Sequence, residues 1–157
     1  MSDAKGERGR QWLETLLKLA GLPAEVDVTH RDDAYWLTIA SAELTPEQVS
    51  ALLGEGGKAI DSIQYLANAV LNMGCDEASQ AAYTLELGGY RQKRQAELRS
   101  KAEEVARQVR ETGEAVEIAD LSGAERRQIH TFLKDSEDLE TFSRGQEPHR
   151  TLVVRLR

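Results

Sequence analysis

LLGEGGKAIDSIQYLANAVL, residues 52–71, places a glycine turn, Gly54-Glu55-Gly56-Gly57, between two short apolar helical patterns. Glycine at both ends and inside lets the backbone approach another molecule with no side chain in the way. The helix that follows, predicted to bury Ile60, Ile63, Leu66, Ala67 and Val70 on one stripe, directs its free N–H groups back at the turn. Such a helix start is a natural seat for a phosphate. By itself the tetrapeptide is a weak signal, because a plain connection between two helices accounts for it equally well.

The sequence on either side gives the turn a context. Trp12, Leu13, Leu16, Leu17 and Ala20 recur at helical spacing over residues 10–20, and Gly21 ends the run. Val26, Val28 and His30 then alternate with polar residues, Arg31-Asp32-Asp33-Ala34 reads as a hairpin turn, and Tyr35, Leu37 and Ile39 alternate again. Thr45-Pro46-Glu47-Gln48 is a helix start with Thr45 as cap, proline at the first position and Gln48 completing a capping box. After the glycine turn and its helix, Tyr83, Leu85 and Leu87 form a third strand pattern, stopped by Gly88-Gly89. The predicted order over residues 1–88 is helix, strand, strand, helix, glycine turn, helix, strand.

Residues 89–157 read as a second domain. A long charged helix from Tyr90 to Thr112 carries a narrow apolar stripe, Leu98, Ala102, Val105 and Val109. A short strand at 115–118 follows, then a helix through Lys134 whose start has a second capping box, Ser122 with Glu125. Two strand patterns, near 139–143 and 151–156, flank the turn-rich loop Arg144-Gly145-Gln146-Glu147-Pro148. On the helix, Arg126 and His130 of Arg126-Arg127-Gln128-Ile129-His130 stand four apart and share a face. That pair can offer one fixed cation and one imidazole to a phosphate or base. A lone Arg-x-x-x-His is more often an ordinary solvated helix face.

Charge divides the chain in the same place. Residues 1–88 hold 6 Lys+Arg and 14 Asp+Glu, a net of −8, whereas residues 89–157 hold 14 and 13, a net of +1. An electrostatic footprint for phosphate is therefore expected in the second half. The composition, 40% apolar and 30% charged, is that of a globular protein, and no apolar run reaches the roughly 18–20 residues that cross a bilayer. No membrane insertion and no signal peptide are expected. Cys75 is the single cysteine, so no internal disulfide is available. His30, His130 and His149 lack metal-ligand spacing with it or with each other. No metal, no cofactor and no catalytic constellation are read here. With 5% aromatic residues, base stacking does not dominate; Tyr65 is expected to pack beside Leu66 and Trp36 to cover a sheet.

The order and lengths over residues 10–88 resemble a type II KH domain. The turn and the helix after it, Gly54–Gly57 with Lys58-Ala59-Ile60-Asp61-Ser62-Ile63-Gln64-Tyr65-Leu66, closely resemble the KH segment of the SpoIIIJ-associated (Jag, or KhpB) bacterial proteins. Glu125-Arg126-Arg127-Gln128-Ile129-His130, Glu140-Thr141-Phe142-Ser143-Arg144-Gly145 and Glu147-Pro148-His149-Arg150 resemble an Arg-x-x-x-His (R-3-H) domain, which binds single-stranded nucleic acid. Together they cover nearly the whole chain and correspond to a short form without the family's N-terminal Jag domain.

The resemblance implies an α+β chain. A type II KH domain over residues 1–88 is followed by an R-3-H domain over 89–157 that includes the connecting helix. It further implies sequence-tolerant binding of single-stranded RNA in a bacterial cytoplasm, as a post-transcriptional regulator or RNA chaperone. The partner implied is a small stand-alone KH protein or a second copy of the chain. Gly54, Glu55, Gly56, Gly57 and Lys58 would clamp the backbone, and Arg126, Arg127, His130, Arg144, His149 and Arg150, with the basic residues of the connecting helix such as Arg91, would supply a second surface. One departure stands out. The variable clamp positions hold Glu55 and Gly56 where a basic residue is usual, and a carboxylate at contact distance from a phosphate repels by about 1 kcal/mol in water. A weak clamp is expected, with Lys58 offsetting part of the repulsion. A competing reading makes the acidic half a protein-interaction adaptor in cell-envelope or division regulation, with residual RNA binding.

Overall fold

A computed structural model describes residues 3–157, which form two compact units that divide between Arg91 and Gln92. The first unit runs α1 (Ala4–Leu19), β1 (Val26–Arg31), β2 (Ala34–Ile39), α2 (Pro46–Leu53), a single 3-10 turn at Glu55–Gly57, α3 (Lys58–Leu71) and β3 (Ala82–Leu87). This is the expected α-β-β-α-α-β order. The sheet order is β1-β2-β3, with β1 antiparallel and β3 parallel to β2. A parallel neighbour needs a crossover, and α2, the glycine turn and α3 provide it. Tyr35, Leu37 and Ile39 from β2 and Tyr83, Leu85 and Leu87 from β3 meet Leu13, Leu17, Ile60 and Ala67 in the core.

Two helices differ from what the apolar spacing predicts. The first starts at Ala4, well before the apolar spacing that begins near residue 10. Its opening turns pack through glycine: a Cβ on Gly9 would stand 2.6 Å from the Tyr83 ring, and one on Gly6 would stand 3.0 Å from Tyr35. Packing by the lack of a side chain leaves no hydrophobic signature. Asp3 caps this helix, accepting from Lys5 N at 3.1 Å and from the Tyr35 hydroxyl. In α3 the buried residues are Ile60, Ala67 and Leu71, while Leu66 and Val70 are 48% and 44% exposed and Tyr65 is 74% exposed. The helix is rotated because Gln64, Asn68 and the capping residue Asn72 turn toward β3 and hydrogen-bond to its backbone and to that of Ala81 just before it. Tyr65 therefore stands in solvent instead of packing beside Leu66.

The second unit holds most of α4 (Tyr90–Thr112), then β4 (Val116–Ile118), α5 (Gly123–Leu133), β5 (Leu139–Arg144) and β6 (Thr151–Leu156). Its sheet has the order β4-β6-β5 and is antiparallel throughout. The stripe Leu98, Ala102, Val105 and Val109 on α4 joins Ile129 and Leu133 of α5 over Ile118, Leu139, Leu152 and Val154. Both capping boxes form. Gln48 N donates to Thr45 Oγ1 at 3.2 Å and Thr45 N to Gln48 Oε1 at 2.9 Å; Glu125 N donates to Ser122 Oγ and Ser122 N to Glu125 Oε2, each at 3.1 Å. Among the described residues no helix is long and apolar enough to cross a membrane, and no group of three or more His, Cys, Asp or Glu could hold a metal ion.

Candidate nucleic-acid interface

The glycine turn is shaped by left-handed backbone. Gly54, Gly56 and Gly57 have φ of 72°, 61° and 77°, values that disfavour any side chain. Two of the three are also crowded. A Cβ on Gly54 would come within 2.7 Å of Ala59 N, and one on Gly57 within 1.8 Å of the Tyr90 hydroxyl. Gly56 by contrast faces open space. Tyr90 donates to the Gly56 carbonyl at 3.2 Å, so the first residue of α4 closes over the back of the turn. Arg91 follows, bonding to Asp61 of α3 at 2.5 Å, to Gln64 at 3.1 Å and to the Leu85 carbonyl at 3.0 Å. The Glu86 carboxylate accepts from Arg91 N at 3.1 Å and caps the start of α4. Glu55 and Lys58 both lie exposed at the mouth. Beside it Leu44, Val49, Leu53, Gly54 and Gly88 line a shallow apolar groove of about 470 Å³.

In the second unit, α5, β5 and the loop before β6 enclose a depression of about 340 Å³. Gly123, Arg126, Arg127 and His130 line it from α5, Thr141 and Ser143 from β5, and Arg150 from the loop. His130 Nδ1 bonds to the Thr141 hydroxyl, which sets the ring over the strand. The guanidiniums of Arg127 and Arg150 are exposed and form no ion pair among the described residues. Two cations, an imidazole and two hydroxyls in one small depression can hold a phosphate, several donors sharing its non-bridging oxygens.

Arg126 has another position. It is 5% exposed and donates to the Leu121 carbonyl at 2.7 Å, to the Arg150 carbonyl at 3.4 Å and to the Glu147 carboxylate. Its guanidinium braces the loop that carries Arg150. Arg144 pairs with Glu117, and strand alternation turns it to the sheet face away from Thr141 and Ser143. The exposed His149 lies outside the depression. Of the residues singled out from sequence, Arg126, Arg127, His130 and Arg150 come together on one unit and Gly54 through Lys58 on the other.

Sequence reasoning missed Thr141, Ser143 and Tyr90, and it counted Arg91 among the basic residues of the connecting helix and not as a support behind the glycine turn. The hydroxyls stand two apart on a strand facing the helix that carries the Arg and His, a cue available from alternation. Tyr90 and Arg91 read as the start of a solvated helix. Their one signal was position, directly after Gly88-Gly89.

A family model described as the R-3-H domain matches residues 96–156. A protein called RNA-binding protein KhpB from Lactiplantibacillus plantarum is 32% identical over 146 residues, 93% of this chain and 43% of its own length. Proteins of the same name from Clostridium symbiosum and Bacillus subtilis are 24% identical over 151 residues and 26% identical over 113. The chain spans 66% of the former and 53% of the latter. The chain thus carries an R-3-H domain over residues 96–156 and, over 93% of its length, is similar to a protein named RNA-binding protein KhpB.

Proposed function

We propose that this chain binds single-stranded RNA through two surfaces and acts in the bacterial cytoplasm as a post-transcriptional regulator or RNA chaperone, without catalytic turnover. The observation that carries the reading is the convergence of Arg127, His130, Thr141, Ser143 and Arg150 around one open depression. Similarity to proteins named RNA-binding protein KhpB supports it. In this reading the first unit is a type II KH domain, and its glycine turn holds the sugar–phosphate backbone through N–H groups. Glu55 weakens that grip, so the second unit supplies more of the affinity. A small KH-domain protein or a second copy would bury the apolar residues that α3 leaves exposed, Tyr65, Leu66 and Val70.

The test is RNA affinity measured by fluorescence anisotropy across a salt series. Arg127→Ala with His130→Ala is expected to lower affinity about tenfold, and to reduce the slope of log affinity against log salt by about 0.7 for each phosphate no longer engaged. The pair is exposed, so the variant should unfold like the parent. Unchanged affinity and slope would sink the proposal.

A further inference from the structure

We infer that Gln64, Asn68 and Asn72 make the first unit blind to base identity by occupying the strand edge on which bases would be read. The inference rests on the reading that this unit holds RNA at Gly54–Gly57. Strand β3 is an edge strand, and an edge normally presents a row of unpaired N–H and C=O groups. Such groups match the Watson–Crick edges of splayed single-stranded bases. In this chain the outward groups are already taken. Asn72 accepts from Ala81 N and donates to Ala81 O, both at 2.8 Å. Asn68 does the same at Tyr83, at 2.9 and 2.8 Å. Gln64 accepts from Leu85 N at 2.9 Å, Arg91 donates to Leu85 O, and Glu86 accepts from Leu87 N at 2.8 Å. Every outward backbone group from Ala81 N to Leu87 N has a side-chain partner.

The edge lies where gripped RNA would meet it. Helix α3 begins at the turn and runs along β3, and Tyr90, just beyond β3, seats on Gly57. A base reading Tyr83 or Leu85 would have to displace an amide and leave that amide unpaired. The wall that stays free beside the turn is the mainly apolar groove of Leu44, Val49 and Leu53. Its side-chain hydrogen-bonding groups are the hydroxyls of Ser41 and Ser50, each able both to donate and to accept and so a poor discriminator of bases. The first unit is therefore a backbone clamp, and any base preference comes from elsewhere in the chain.

Amide NMR of the full chain titrated with oligo-U, oligo-C, oligo-A and oligo-G tests this. Gly56 and Gly57 should shift with all four, with affinities at this unit within about threefold of each other, while Tyr83, Leu85 and Leu87 stay unmoved. Asn68→Ser frees both groups of Tyr83 and should bring its amide among those that shift. The inference is overturned by shifts at Tyr83 and Leu85 in the parent protein, or by a preference above about tenfold that survives Arg127→Ala with His130→Ala. It is equally overturned if Tyr83 stays unmoved in the Asn68 variant. Silence at Gly56 and Gly57 with every oligonucleotide is a separate result, which removes RNA from this unit and the inference with it.

Discussion

The glycine turn and the Arg–His depression answer the same chemical need with opposite materials. The turn uses backbone, bent by three left-handed glycines and backed by Tyr90 and Ala59. The depression uses side chains on α5, β5 and a loop, held in place by Arg126 and the Thr141 hydroxyl. A backbone site is rigid and sits in an acidic unit, so its grip depends on shape. A side-chain site carries full charges, so its grip depends on ionic strength. Their supports differ as well. The turn depends on a tyrosine across its back, and the depression on a buried cation beneath its loop.

The largest effect should come from removing that buried cation. Arg126→Ala takes two hydrogen bonds from the loop, at Glu147 and Arg150, and leaves the Leu121 carbonyl without its partner. A loss of about 2–3 kcal/mol is expected, read by chemical denaturation as earlier unfolding of the second unit alone. An equal loss in the first unit would mean that the two sites are not independently supported. Next is Gly57→Ala. It forces a methyl toward the Tyr90 ring and holds alanine at φ of 77°, which together destabilise the first unit by about 2 kcal/mol. If the midpoint does not move, Tyr90 is not what shapes the turn. The smallest is Glu55→Lys. Replacing a repulsive charge at the mouth should tighten RNA binding about fivefold at low salt and leave stability unchanged. Identical affinity would remove the turn from the RNA surface and break the comparison.

Features written in local hydrogen bonding were legible in the sequence. Thr45 with Gln48 and Ser122 with Glu125 announce their helices because a capping box needs only neighbours along the chain. The strands of the first sheet were legible from alternation, and the narrow stripe on α4 from its spacing. What stayed hidden depends on residues acting against type. Gly6 and Gly9 bury a helix by having no side chain. Arg126 reads as a surface cation and is nearly enclosed. Gln64, Asn68 and Asn72 fall outside the apolar stripe predicted for α3 and yet are bonded to the backbone of β3 and of Ala81 just before it. Leu66 and Val70, read as core, are displaced to the surface by that same rotation. In the candidate site, the Arg–His spacing pointed to the helix that lines the depression, α5. It could not tell which cation faces outward, since burial is decided by Leu121, Glu147 and Arg150, distant in sequence or outside the helix.

The amides on α3 and the groups they meet on β3 also behave as a matched pair of rulers. Four residues of helix rise about 6 Å, and two residues of strand advance about 6.6 Å. Rungs at 64, 68 and 72 therefore keep step with 85, 83 and 81 as the two elements run in opposite directions. The mismatch grows by about half an ångström per rung, and where the stagger ends the long side chain of Arg91 and the local carboxylate of Glu86 take over. A one-residue insertion in either element would swing every rung off its mark at once. The length of α3 and the register of β3 can change only together, which makes this helix and strand a single unit of sequence drift.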